Sequence, residues 1–323
     1  MGKYGGQGRR RQSFLQGALV LTGGMALVKV MGALFKVPLT YAVGEYGIGL
    51  FHVAYHFYAP VLSLATAGFP IAVSRLVSEN SSLCRWNDAR QGKRVAMPLF
   101  LSIGVGGMVL LTCLAPFYCQ WVTGVPYALI PMVALAPAIP LACATSAYRG
   151  DYEGLGNMVP TAVSQVMEAA VKLGLGLAAA WGMVSHCQGE YAARGTVLGL
   201  TPSGEEGAMF LTLSLGAAGS LVSLGYLALR FRFHGDGTVP RLYRDSPPAR
   251  DRRETRKRLW AITLPIALGS LATSVAGLID ATFLQSRVGD VLREAPQRLL
   301  AAYPGQIPDT YRENPQAIPT FLY

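Results

Sequence analysis

Charge is scarce in this chain. Asp, Glu, Lys and Arg make up 14% of its 323 residues, against 51% hydrophobic ones. A water-soluble domain carries roughly a quarter charged residues, so this composition excludes an ordinary soluble protein. Histidine is also rare: there are four, and the eighteen carboxylates lie mostly in polar stretches. No clustered acid–base pair emerges from them. The chain has no G-x-S-x-G elbow, no P-loop, no H-E-x-x-H and no Gly-rich dinucleotide fingerprint. These absences argue against an enzyme, and no cofactor is expected. Without a nucleotide site, any transport is secondary or ion-coupled. The five cysteines, Cys84, Cys113, Cys119, Cys143 and Cys187, form no C-x-x-C pair. His186-Cys187 lacks the further ligands that a metal centre requires, so no metal site is expected.

What the chain does have is seven long apolar runs. They cover Phe14–Val43, Phe51–Val73, Val95–Trp121, Tyr127–Ala147, Val159–Val184, Ala208–Leu229 and Leu259–Leu284. A run of about 18 or more apolar residues marks a spanning helix. Backbone groups inside lipid must be satisfied by helices or closed barrels, and runs this long exclude strands. The predicted fold is an all-α polytopic membrane protein. The first run is too long for a cleavable signal and contains Lys29 and Lys36.

Positive charge alternates from loop to loop. Lys3, Arg9, Arg10 and Arg11 precede the first run, and the next loop, Gly44 to Leu50, has none. Arg75, Arg85, Arg90, Lys93 and Arg94 follow the second run, and the loop after the third has none. Arg149 follows the fourth run. Arg194 stands alone after the fifth. Arg230, Arg232, Arg241, Arg244, Arg250, Arg252, Arg253, Arg256, Lys257 and Arg258 follow the sixth. The positive-inside rule puts the N-terminus in the cytoplasm of a multi-pass cell-membrane protein. The net charge of +10 follows from this bias and needs no nucleic acid. Anionic lipid headgroups are the expected partners of the basic loops, Arg250–Arg258 above all.

The expected organisation is a basic cytoplasmic N-terminus (1–13), a six-helix lobe (14–233), a basic loop (234–258), a seventh helix (259–285) and an extracellular tail (286–323) leading toward another helix. Short amphipathic helices are expected over Glu79–Arg94 and Val288–Ala302.

A charge near mid-bilayer costs roughly 2.5–3.5 kcal/mol on insertion scales, so those present point to a cavity or a partner. Lys29 and Lys36 are seven residues apart, on one face of the first helix. Together with Pro38, which invites a bend, they suggest a lining for an anionic substrate. The alternative is that Lys36 snorkels to the outer interface and Lys29 packs as a buried ion pair. Gln165, Glu168 and Lys172 form a second stripe at i, i+3 and i+7. Glu168 and Lys172 are an i,i+4 pair in the favourable order. A functional role and mutual neutralisation are both open for that pair. Phe51, His52, Tyr55, His56, Phe57 and Tyr58 read in part as an interfacial aromatic belt. The alternative for His52, Tyr55 and His56 is contact with sugar or pyrophosphate, and Tyr55 is a candidate cavity residue.

Three segments carry a family resemblance. The first is Arg11-Gln12-Ser13-Phe14-Leu15-Gln16-Gly17-Ala18 with Lys29-Val30-Met31-Gly32 and Lys36-Val37-Pro38-Leu39. The second is Gly44-Glu45-Tyr46-Gly47-Ile48-Gly49-Leu50-Phe51 with Gly68-Phe69-Pro70 and Ser74-Arg75-Leu76. The third is Tyr148-Arg149-Gly150 with Gly154, Met158-Val159-Pro160-Thr161, Gln165 and Glu168. In this order they resemble the stage V sporulation protein B group of polysaccharide-biosynthesis membrane proteins. That group belongs to the multidrug/oligosaccharidyl-lipid/polysaccharide exporter superfamily, which also holds the lipid II flippases and multidrug extruders.

The resemblance implies two six-helix lobes around a cavity that opens alternately to either face. It also implies an undecaprenyl-pyrophosphate-linked sugar, lipid II-like, as substrate. Arg75, Arg149 and Gly150 belong to its cytoplasmic motifs. Lys29 matches in position the first of two basic residues thought to meet the pyrophosphate, and Lys36 lies one residue beyond the second. Leu62 and Ser63 stand where those flippases carry an arginine in their second helix. Relative to the family the chain reads as truncated after the first helix of the second lobe. The expected function is a flippase for a peptidoglycan or polysaccharide precursor. The alternatives are a non-transporting assembly factor that recruits cell-wall synthesis proteins in sporulation or envelope building, and a drug–cation antiporter.

Overall fold

The computed structural model describes residues 14–122, 128–194, 204–235, 238 and 240–294. The basic N-terminus and most of the tail, including much of Val288–Ala302, lie outside them. The elements are α1 (Phe14–Thr66), α2 (Phe69–Ser82), α3 (Trp86–Phe117, extended by a wide helical turn at Tyr118–Val122), α4 (Leu129–Leu135), α5 (Ala138–Gly154), α6 (Val159–Arg194), α7 (Gly204–His234), α8 (Pro240–Arg244) and α9 (Arg252–Glu294). Among the described residues there is no strand. Six segments are long and apolar enough to cross a membrane: Leu15–Ala42, Phe51–Ser82, Trp86–Val122, Leu129–Gly154, Val159–Gly182 and Arg252–Asp280. The remaining apolar run, Ala208–Leu229, lies within α7. The chain is an all-α, multi-pass membrane protein.

Helical backbone is continuous from Phe14 to Thr66, yet the two apolar segments it contains pass through the bundle in opposite senses. Gly24 meets Ala162, and Leu39 clusters with Ala180, so the first segment runs parallel to α6. Phe57 stacks on Tyr118, and Phe69 on Phe100, so the second runs antiparallel to α3. In turn, α3 and α6 both run against α5, through Lys93–Asp151 and Arg149–Glu168. The Gly44–Leu50 stretch, expected from the charge pattern to be a loop, is helical within α1.

The second apolar segment bends at Gly68 and continues as α2. The fourth bends at Ala136–Pro137 between α4 and α5. The core lies between α1, α2, α3 and α5, where Phe69 and Phe100 stack at 3.8 Å and are fully buried. Gly150 and Gly154 make this possible. They are one helical turn apart on α5, and a Cβ on either would stand 2.6 Å from a backbone oxygen of α2, that of Pro70 or Ser74. Small residues at this spacing let two helices cross at close range. The Gly150 of the family motif is thus a packing surface.

Two expectations change. Glu79–Arg94 is no separate amphipathic helix. It is the end of α2, a tight turn through Cys84 at φ 57°, and the start of α3. Lys93, grouped above with the loop cations, is buried inside α3. Its Nζ sits 3.3 Å from Asp151 Oδ2 and 2.9 Å from the centre of the Phe231 ring. A carboxylate and an aromatic face together offset the loss of water around that ammonium.

The stretch joining α7 to α9 is strapped to the start of α3. Asn87 Nδ2 donates to the carbonyls of Tyr243, Ser246 and Pro247 at 3.1–3.2 Å. The Arg250 amide donates to Asp88 Oδ1 at 2.6 Å, and Asp88 also pairs with Arg85. Gln91 Nε2 donates to the Arg250 carbonyl at 2.6 Å. The start of α9 is therefore held in place, and that helix begins at Arg252, inside the expected 234–258 loop.

A charged cluster between α5, α6 and α7

Adjacent residues of α5 face different neighbours. Gly150 presses on α2, while Arg149 is turned toward α6 and α7. Its Nη2 lies 3.1 Å from Glu168 Oε2 and donates to Ser223 Oγ at 3.0 Å; its Nε donates to Ser164 Oγ at 3.0 Å. The other oxygen of Glu168 accepts from Lys172 Nζ at 2.8 Å and from Ser220 Oγ at 3.0 Å. Three helices thus meet on one carboxylate. α7 comes close enough because it carries Gly219, where a Cβ would stand 3.0 Å from the Glu168 carbonyl oxygen.

Glu168 is the tenth residue of the Val159–Gly182 span. At 1.5 Å per residue it lies about 14 Å in, close to halfway across a hydrocarbon core of about 30 Å. The Arg149 and Glu168 side chains are 17% and 20% exposed, and that of Lys172 is 43% exposed. The cluster therefore has a closed side, held by Arg149 and three serines, and an open side at Lys172. Its formal charge is +1, two cations to one carboxylate. Such a group is satisfied internally and still favours an anion at its open edge.

The structure brings together Glu168 and Lys172, as helical spacing predicts, and adds Arg149, Ser164, Ser220 and Ser223. Gln165 is on the same helix, and its Oε1 is buried with no hydrogen-bond partner among the described residues. Lys29 and Lys36 are both exposed on the first segment of α1, separate from the cluster, and Lys36 is within electrostatic reach of His52. Tyr55 is exposed and stacks on Phe51 with ring centres 5.7 Å apart. Arg75 is exposed on α2. His186 and Cys187 lie where side chains are not described.

Sequence comparison finds a match to the model of the polysaccharide biosynthesis proteins over residues 14–304. Stage V sporulation protein B of Bacillus subtilis is 28% identical over 262 residues, 79% of this chain and 46% of that protein. Lipid II flippase MurJ of the same organism is 33% identical over 171 residues, 49% of this chain and 31% of that one. The chain thus spans less than half the length of either relative. Among solved structures, a MOP superfamily transporter from Pyrococcus furiosus superposes with a TM-score of 0.58 at 15% identity, over 92% of this chain and 62% of that one. An outward-facing multidrug resistance MATE family transporter gives 0.54 at 17%, over 90% and 62%. The structures share the fold, and the sequence match over nearly the whole chain makes it a member of the polysaccharide biosynthesis protein family.

Proposed function

We propose that the chain forms one lobe, and the helix opening the next, of a flippase that moves a lipid-linked oligosaccharide or cell-wall precursor across the cell membrane by alternating access. The N-terminus is cytoplasmic in this reading. The reaction is transport, not catalysis. The observation that carries it is the Arg149–Glu168–Lys172 cluster, a net cation about halfway through the span with one open edge. Intramembrane charge of this kind marks a substrate path by default. A pyrophosphate-linked sugar is the anion that fits, and a relative in the family is named as a lipid II flippase. Cationic drugs are disfavoured by the positive balance.

Lys29, Lys36, Tyr55 and Gln165 are assigned to the same cavity, which a second lobe completes. Rocking of two lobes about a central site is how such carriers alternate. The basic loops meet anionic lipids on the cytoplasmic side.

Complementation tests the proposal. In a strain depleted of its lipid II-type flippase, the chain expressed together with its second lobe restores growth, and Lys29→Ala and Glu168→Gln each reduce it at equal membrane abundance. Wild-type growth of both variants removes these residues from the substrate path. Failure of the inserted two-lobed wild-type protein removes the substrate class.

A further inference from the structure

A cavity of about 540 Å³ lies between α3 and the start of α9, well away from Glu168. It is lined by Arg94, Val95, Pro98, Leu99 and Ser102 from α3, and by Asp251, Arg252, Arg253 and Arg256 from the α9 side. We infer that it is a binding site for one anionic glycerophospholipid of the cytoplasmic leaflet.

Three observations carry the inference. The first is charge left unneutralised. Arg85, Arg149, Arg250 and Arg258 each have a carboxylate partner. The side chains of Arg94, Arg252, Arg253 and Arg256 have none among the described residues, and all four are exposed. Asp251, the one carboxylate of the lining, accepts from the Arg253 amide at 3.3 Å, capping α9. The second is depth. Arg94 immediately precedes the apolar stretch of α3, and Arg256 lies just before that of α9, which opens at Leu259. The arginines of both helices therefore stand at one membrane boundary, where phosphates lie. The third is an apolar wall. Val95, Pro98, Leu99 and Ser102 form a stripe at helical spacing running about 10 Å into the bilayer. The Ser102 hydroxyl is turned back onto the Pro98 carbonyl at 2.7 Å, so the stripe offers an acyl chain no unsatisfied polar group.

Guanidinium groups bind phosphate oxygens through paired hydrogen bonds. A smaller recess lined by Asn87, Arg90, Gln91, Arg94, Ala249 and Arg252 shares two arginines with the first, and it gives a headgroup room beyond the phosphate. An acidic peptide satisfies the charge but not the stripe, which lies within a membrane-spanning segment.

Native mass spectrometry of the detergent-solubilised chain tests this, titrating dioleoyl phosphatidylglycerol against dioleoyl phosphatidylcholine. The wild type is expected to keep one phosphatidylglycerol where phosphatidylcholine is lost. Each basic residue at a membrane surface is worth about fivefold in binding, so Arg94→Gln/Arg252→Gln/Arg256→Gln should weaken it about a hundredfold. The corresponding lysine triple should retain the lipid, which shows that the site folds without arginine. An off-site triple, Arg75→Gln/Arg232→Gln/Arg244→Gln, should match the wild type. Undiminished binding by the cavity glutamine triple, or equal loss in the off-site triple, overturns the inference. So does displacement of the lipid by millimolar inorganic phosphate, or preferential uptake of undecaprenyl pyrophosphate over phosphatidylglycerol. The inference rests on the proposed cytoplasmic placement of the basic loops, while none of these outcomes depends on the transport reading.

Discussion

Arg149 and Glu168 sit on different helices and join at 3.1 Å between α5 and α6. The link crosses the tight turn between α5 and α6, and Ser164, Ser220 and Ser223 complete it. Taking the carboxylate away leaves Arg149 and Lys172 facing one another without a counter-charge. Breaking a buried pair costs about 3–5 kcal/mol, and less where water reaches it. Glu168→Gln is therefore expected to destabilise the protein by about 2 kcal/mol, read as a lower unfolding midpoint in detergent. Glu168→Gln/Lys172→Met should recover part of the loss. Identical midpoints for wild type and Glu168→Gln would mean that the pairs do not hold α5 against α6.

The turn between α2 and α3 offers a test of orientation. Cys84 is exposed there, on the side to which the positive-inside rule assigns the cytoplasm. A membrane-impermeant maleimide should label it in inverted vesicles and leave it unlabelled in intact cells. The reverse pattern would turn the whole topology over.

Gly150 and Gly154 set the distance between α5 and α2. A Cβ 2.6 Å from a backbone oxygen forces the helices apart, and leucine worsens the clash. Gly150→Leu is expected to abolish monodisperse purified protein, and Gly150→Ala to cost about 2 kcal/mol, within the usual range for overpacking. A normally behaved Gly150→Leu protein would show that the crossing tolerates more space than its geometry allows.

The strap over 243–250 is accessible to protease. Asn87→Ala removes the amide whose two N–H groups are shared among three carbonyls of that stretch, about 2 kcal/mol in all. Trypsin cleavage after Arg250, Arg252 and Arg253 should accelerate at least tenfold. A cleavage rate like that of the wild type would show that the stretch is held by other contacts.

Much of this fold was readable from the sequence, for a physical reason. A bilayer fixes the length of every spanning run. The Glu168–Lys172 pair was readable because both residues lie on one helix, at a spacing that forces contact. Arg149 was harder: it lies nineteen residues from Glu168, on a separate element, and loop charge counting assigned it only a topogenic role. Lys93 was missed in the same way. Lys93 turns inward because α5 and α7 present Asp151 and Phe231 to it, and Arg149 because α6 and α7 present Glu168 and Ser223; no local spacing encodes such meetings. Lys29 and Lys36 are exposed on the first segment of α1, apart from the Glu168 cluster.

Gly68 marks where α9 crosses the bend between α1 and α2, since a Cβ there would stand 2.6 Å from the Thr263 carbonyl oxygen. Ser63 and Ser270 touch about two turns further along α9. With the strap below, α9 is gripped at two heights. It is coupled to its lobe as a lever arm is coupled to its bearing, so force applied to its far end arrives at the Gly68 bend.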